Sequence, residues 1–386
     1  MSGRALLRLA PLALTVFMQA TWVENLLLSP DPRARVRQDW YPFYETGQRL
    51  LAGQLDAIYP HAFDRGYLWL YPPYCIYLTA PLGALPEWWA YALCVAVEIA
   101  AVAGALALLR VTLPAPSAAH ATAAVVVLAS MPFNTTLAIG QVSGALALVL
   151  AAGLWAWRRG RPLAAGLFLA LFFAKPNLAV FFAGACLLAR EWRVLAGIAT
   201  GCALLVLASL PLGVERWHEY LYTTRHYLEV VPSVAPMWKQ LTLYAFWRTV
   251  AAGPGTPLAP WLASVAGLVA LAALAWGRRR GEPAALPRLF GLTVLLALGA
   301  NLYVYFYDGL LLLVPGVVWW VERDGYRSRW RHGLIGACLL GIFVDGYVKM
   351  VLVGEGISWT GALIALWLAC EALDLLAAPA PVRQAG

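Results

Sequence analysis

Carboxylates, cations and amides set among apolar residues are the places where this chain could do chemistry. Asp39 stands in Gln38-Asp39-Trp40-Tyr41-Pro42-Phe43-Tyr44-Glu45, and Glu45, Asp56 and Asp64 share the same stretch. Apolar or aromatic residues at Trp40, Phe43, Tyr44, Leu50 and Leu51 fall near helical spacing, which predicts a helix lying in the membrane interface with Asp39 at its start. Asp39 there is either an N-cap or a general base, and spacing alone does not separate it from the other three acids. Arg33, Arg35 and Arg37 precede it, either anchoring the chain to lipid headgroups or holding a phosphate. Lys175, in Phe173-Ala174-Lys175-Pro176-Asn177, carries a charge between two apolar arms just where Pro176 breaks the helix. Gln141 follows Gly140, Asn134 lies close by, and either amide could also serve only to satisfy freed backbone groups. Asp308 ends Asn301-Leu302-Tyr303-Val304-Tyr305-Phe306-Tyr307-Asp308, and a buried acid needs a cation, which Lys175 or a loop arginine would supply. Arg225 and His226 join Arg216, His218, Lys239 and Arg248 in a polar segment over 213–257.

The elements that must position these groups are written in the composition. Hydrophobic residues make up 62% of the 386 residues and charged ones 12%, with a mean hydropathy of +0.69, so a soluble fold could not cover the apolar surface. Apolar Leu/Ala/Val runs recur from residue 5 to residue 377, and in lipid such runs must be helices. The fold class expected is all-α, a polytopic integral membrane protein. Cys75, Cys94, Cys186, Cys202, Cys338 and Cys370 have no metal-ligand spacing and read as small hydrophobes. Glu322-Arg323-Asp324 reads as loop charge. No metal site, P-loop or Ser/His/Asp set is legible, so no cofactor is expected.

The net charge of +8 comes mostly from short arginine clusters between apolar runs, a positive-inside pattern and not a nucleic-acid groove. Placing Arg110, Arg158-Arg159-Gly160-Arg161, Arg190-Glu191-Trp192-Arg193, Arg278-Arg279-Arg280 and 323–332 on one side orients the rest. An uncleaved first helix over 5–28 leads to a first outer loop over 29–70. The proline-broken stretch 71–86 reads as re-entrant or interfacial, and 88–109 crosses back. Two hairpins follow, turning at 131–141 and at 175–177, with arms too short for full spans unless they stop at a water-filled cavity. A span over 194–212, the second outer loop over 213–257 and spans near 258–277, 288–301, 303–321, 333–353 and 357–377 complete about twelve crossings of about 20 residues or fewer each. No repeat or linker divides the chain, so residues 1–386 form one domain.

Asp39 with Tyr44-Glu45-Thr46-Gly47 and Leu50-Leu51-Ala52-Gly53, then Leu70-Tyr71-Pro72-Pro73, Gly140-Gln141-Val142, and Ala165-Gly166 leading to Ala174-Lys175-Pro176, resembles glycosyltransferase family 87. That family includes polyprenol-phosphate-mannose-dependent mannosyltransferases that build mycobacterial phosphatidylinositol mannosides. The resemblance runs in order over about 37–200, with a weaker echo at 303–315. It implies a GT-C fold with re-entrant or interfacial helices, an active site at the extracytoplasmic face of a bacterial inner membrane, and a polyprenyl-phosphate sugar as donor. The family's catalytic aspartate falls on Asp39. The substrate contacts expected, from the residues together with this resemblance, are Arg33, Arg35, Arg37, Tyr44, Gln141, Lys175, Asn177, Arg225, His226 and Asp308. The chain departs from the family at Tyr307, where a histidine often accompanies the acid of the late motif.

The expected activity is therefore transfer of a hexose, mannose by resemblance, to a lipid or glycan acceptor, with one carboxylate as base and cations to hold the leaving phosphate. Its partners are the donor, the acceptor and membrane lipids, and nucleic acid is excluded. A lipid-linked-sugar flippase would be expected to show repeat symmetry and polar residues through mid-membrane, and a non-catalytic assembly subunit needs no converging site.

Overall fold

The computed structural model describes Phe17, Ala20 and residues 39–59, 69–234, 237–251, 257–351 and 356–377. Apart from Phe17 and Ala20, the expected first helix over 5–28, and with it Arg33, Arg35, Arg37 and Asp64, lies outside the described residues.

The described residues are helical, with a single isolated antiparallel bridge between Gln240 and Tyr305. Helix α1 (Tyr41–Leu51) is followed by a 3₁₀ segment Pro73–Thr79, the short α2 (Ala80–Gly83) and the long α3 (Glu87–Thr112). Then come α4 (Ser117–Leu128), α5 (Met131–Ile139), α6 (Ser143–Arg158), α7 (Pro162–Leu171), α8 (Pro176–Leu188) and α9 (Trp192–Ser209). Beyond them lie α10 (Glu215–Val234), α11 (Leu243–Val250), α12 (Leu258–Arg279), α13 (Leu286–Gly299), α14 (Leu313–Val321), α15 (Arg329–Val351) and α16 (Trp359–Ala377).

Four helical stretches among the described residues are long and apolar enough to cross a membrane: Glu87–Thr112, Trp192–Leu212, Leu258–Arg279 and Trp359–Ala377. The pair α4 and α5, bent by 52°, makes a fifth if it counts as one broken span. Helix α3 shows why such a span forms. Pro86 precedes it, Glu87 meets the positive end of its dipole, Arg110 the negative end, and Pro114 and Pro116 prevent continuation. The expected hairpins appear as shorter apolar helices, 10 to 17 residues in length, that stop short of a full crossing. Their packing relies on small residues: a Cβ on Gly166 of α7 would overlap the Val194 carbonyl of α9, and one on Gly197 would overlap the Leu163 carbonyl. Glycine at both positions lets the two backbones touch.

Where the short helices stop, they stop together. Helix α5 ends at Ile139, α6 begins at Ser143, a 3₁₀ turn Phe172–Ala174 delivers Lys175 to the start of α8, and an extended stretch from Asn301 enters a 3₁₀ segment Phe306–Leu312 ahead of α14. The span expected over 303–321 is thus helical only from Phe306, because the preceding residues pair edge to edge with 240–241. At the far ends of these helices the arginines gather: Arg158 approaches Glu322 at 3.8 Å, and Arg280 reaches the Arg190 carbonyl at 3.5 Å. There Arg288, at the start of α13, is buried against Glu371 and Asp374 of α16, with 3.0 Å to Asp374 Oδ2, while the Tyr326 hydroxyl donates to Glu371 at 2.5 Å. The 3.6-fold geometry of α13, at about 1.5 Å per residue, puts this ion cluster about 20 Å from Asn301.

Two smaller apolar clusters seat residues 39–59 and 69–76. Trp40 and Tyr44 pack on Ala90 and Tyr91 of α3, and Ile58, Tyr59, Trp69 and Ile76 pack on Leu212 and Tyr220. All six cysteines are free, as small hydrophobic residues would be.

Candidate active site

Asp39 is positioned by a chain of local necessities. Helix α5 closes with Gly140 in the left-handed conformation, φ 69°, and the Gly140 and Gln141 backbone amides both turn back to the Thr136 carbonyl. A side chain at Gly140 would also overlap Trp40 Cβ, so glycine is needed for conformation and for contact. The Trp40 amide donates to the Ile139 carbonyl at 2.8 Å, which fixes the loop onto the end of α5. Gln141 Nε2 then donates to Asp39 Oδ2 at 2.6 Å, and the Tyr71 hydroxyl donates to Gln141 Oε1 at 3.1 Å. That second bond sets which way the amide faces.

An N-cap role for Asp39 is corrected by this arrangement. The N-cap position of α1 belongs to Trp40, whose backbone is already helical, and the Asp39 carboxylate turns away to Gln141. Burial raises the Asp39 pKa above its usual 3.8; Gln141 opposes the rise by hydrogen bonding and Lys175 by its charge, while Asp308 adds to it.

Beside this acid lies an ion pair. Lys175 Nζ donates to Asp308 Oδ1 at 2.6 Å, and the same oxygen accepts from Ser143 Oγ at 3.0 Å. The Tyr307 ring lies 4.9 Å beneath the ammonium, a cation–π contact. Ser143 is held in place because Glu98 of α3 accepts from the Gly144 amide at 2.6 Å and the Ala145 amide at 3.3 Å, capping α6 from outside. Asn177 Nδ2 donates to the Tyr303 carbonyl at 3.2 Å, and Asn301 Nδ2 donates to the Asn177 carbonyl at 2.8 Å, tying the α8 turn to the extended stretch.

The structure separates residues that the sequence left equivalent. Glu45 pairs with Arg49, and Asp56 pairs with Arg216 at 2.6 Å, whereas Asp39 faces the Lys175 group. Asn134 donates to the Leu128 and Ser130 carbonyls. Tyr44 packs on Trp40 and accepts from Gln48 Nε2 at 2.9 Å. Arg225 and His226 lie on α10 beside Glu229, at 3.3 and 3.7 Å, and neither is brought to Asp39. Their neighbour Tyr227 is hydrogen-bonded through its hydroxyl to that of Tyr303, in the stretch that leads to Asp308. Tyr71, Ser143 and Glu98 were not legible as site residues, although Tyr71 sits in the Tyr-Pro-Pro run that the sequence marks.

One half-buried carboxylate held by an amide, next to a lysine held by a second carboxylate, can take a proton from a hydroxyl while a cation faces an anionic leaving group. No curated protein matches the chain. The sequence profile described as glycosyltransferase family 87 matches residues 69–300, more than half of the chain, and includes Tyr71, Gln141 and Lys175 but neither Asp39 nor Asp308. The helical bundle, the convergent site and this match lead to one conclusion: the chain belongs to glycosyltransferase family 87 and is a membrane glycosyltransferase.

Proposed function

We propose that this enzyme moves a hexose, mannose first among candidates, from a polyprenyl-phosphate donor to a lipid or glycan acceptor at the extracytoplasmic face of a bacterial inner membrane, with inversion. The observation that carries the reading is the meeting of Asp39, Gln141, Lys175 and Asp308 at one end of a bundle whose arginines gather at the other. By the positive-inside rule the arginine end is cytoplasmic and the site end is outside. About twelve crossings, a re-entrant 71–86 and a single domain over 1–386 belong to the same reading.

In the step itself, the acceptor hydroxyl gives its proton to Asp39 Oδ1 while Oδ2 stays on Gln141. The acceptor oxygen forms the new bond to the sugar anomeric carbon as the carbon–oxygen bond to phosphate breaks on the opposite face. The bonding pair leaves with the polyprenyl phosphate, whose charge Lys175 and the loop cations Arg33, Arg35 and Arg37 neutralise. Burial keeps Asp39 basic enough to accept a proton, and Gln141 keeps it ionised.

The test is a transfer assay with purified protein in liposomes, radiolabelled polyprenyl-phosphate mannose and glucose, and total envelope lipid as acceptor. Release of polyprenyl phosphate with sugar appearing in a new lipid product, of opposite anomeric configuration to the donor, is expected. No donor consumption with any polyprenyl-phosphate hexose would overturn the proposal.

A further inference from the structure

Helix α3 passes beside the site and turns two buried polar side chains to it, Tyr91 and Glu98. Their spacing in sequence puts them about 10 Å apart along the axis and within about 20° of one face. The Tyr91 hydroxyl donates to the Leu137 and Ala138 carbonyls, at 3.1 and 3.0 Å, in the last turn of α5. Glu98 accepts from the Gly144 and Ala145 amides in the first turn of α6. One helix thus grips the turn 140–143 from both sides.

Both grips fall where helix ends need partners, since the last carbonyls of α5 and the first amides of α6 have none within their own helices. The Thr136 carbonyl takes the Gly140 and Gln141 amides and the Ile139 carbonyl takes the Trp40 amide, while the two carbonyls between them go to Tyr91. A helix usually caps its start with the side chain just ahead of it, but Val142 stands there in α6 and the Ser143 hydroxyl turns to Asp308. The cap comes from α3 instead, and Gly144 admits it: a Cβ there would lie 2.6 Å from Glu98 Oε2. A carboxylate in a membrane span is costly, and Val142→Ser could supply a cap without one. What Glu98 adds over a local cap is a tie between the turn and a second helix.

We infer that Tyr91 and Glu98 are positioning residues that set the spacing between the base and the leaving-group cation. The turn they grip carries Gln141, which holds Asp39, and Ser143, which donates to the Asp308 oxygen that binds Lys175. Base and cation therefore hang from one short turn, and α3 fixes its place. A misplacement of about 1 Å at a reacting group costs about a hundredfold in rate, so either grip matters to transfer without touching a substrate. The inference rests on the transferase reading and names positioning residues for its reaction.

The test reads Lys175 in the full chain in liposomes with no donor present. The lysines are Lys175, Lys239 and Lys349, and the exposed Lys239 serves as reference. An ammonium held by a carboxylate resists acylation, so brief acetic anhydride treatment followed by mass spectrometry reports how firmly Asp308 holds Lys175. Relative to Lys239, labelling of Lys175 is expected to rise about tenfold in Asp308→Asn and about fivefold, the worth of one hydrogen bond, in Glu98→Leu and Tyr91→Phe. Tyr91→Phe is the sharper case, because the hydroxyl it removes is bonded to α5 and not to the Lys175 group. Glu98→Gln keeps an oxygen for one amide, so its labelling should lie between wild type and Glu98→Leu and tests the grip if Glu98→Leu folds poorly. Thr112→Val removes a hydroxyl from the far end of α3 and should leave labelling at the wild-type level. In the transfer assay kcat should fall about tenfold in Glu98→Leu and in Tyr91→Phe with KM within about twofold, the pattern of a contact that matters in the transition state. Wild-type labelling in Tyr91→Phe or in both Glu98 variants, or an equal rise in Thr112→Val, would overturn the inference. Absence of donor consumption by wild type overturns the transferase reading instead, and the labelling still decides whether α3 holds the turn.

Discussion

Lys175 and Asp308, separated by 133 positions, meet at 2.6 Å with little exposure on either side chain. Removing one partner leaves a nearly buried charge unpaired. Asp308→Ala is therefore expected to cost about 3–5 kcal/mol, while Lys175→Met with Asp308→Leu costs less than the sum of the single changes. Thermal unfolding of wild type, Asp308→Ala, Lys175→Met, Asp308→Leu and the double change in one detergent measures this. Additive costs would mean that the pair does not couple.

The catalytic assignment makes a sharper demand. Asp39→Asn keeps an oxygen to accept from Gln141, so the melting temperature should stay near wild type while transfer falls at least about a hundredfold. A purified variant retaining a tenth of wild-type turnover would exclude Asp39 as the base.

A pH profile probes the same carboxyl. Burial lifts its pKa above 3.8, so the acid limb of kcat/KM should lie above the ordinary aspartate range, with the rate rising as the pH passes the raised value and the base ionises. Gln141→Leu deletes the hydrogen bond that opposes the rise, so the limb should move to still higher pH. Because the folded pKa is the higher one, Asp39 itself favours the folded state less as the pH climbs from 3.8 through that value. A limb that stays in place in Gln141→Leu would show that the bond does not tune the acid.

Much of this site was legible because charge in an apolar sequence is expensive: that cost pointed to Lys175 and Asp308 and to their pairing. Asp39 was harder, since Glu45 and Asp56 are set aside only by Arg49 and Arg216, and the latter is distant in sequence. Its supposed capping role failed because Trp40 is already helical when Asp39 turns to Gln141. The non-helical stretch ahead of Phe306 was hidden inside an apolar run that reads as helix until Gln240 pairs with Tyr305. Arg225 and His226 were expected among the substrate contacts, yet on α10 both lie beside Glu229, four and three residues on.

Sidedness can be measured directly. Single cysteines replacing the exposed Asn177 and Arg161, in a background without native cysteines, sit at opposite ends of the short helices. A membrane-impermeant maleimide should label the first from outside and the second only after permeabilisation. The reverse pattern would invert the bundle and place the acid on the cytoplasmic side.

The ion cluster of Arg288, Glu371, Asp374 and Tyr326 gives the bundle a fixed floor. Helices that alternate between two openings must be able to part at both ends, but here parting α13 from α16 would strand several buried charges at once, at several kcal/mol each. Any motion that opens the bundle must therefore leave α13 and α16 joined at that end.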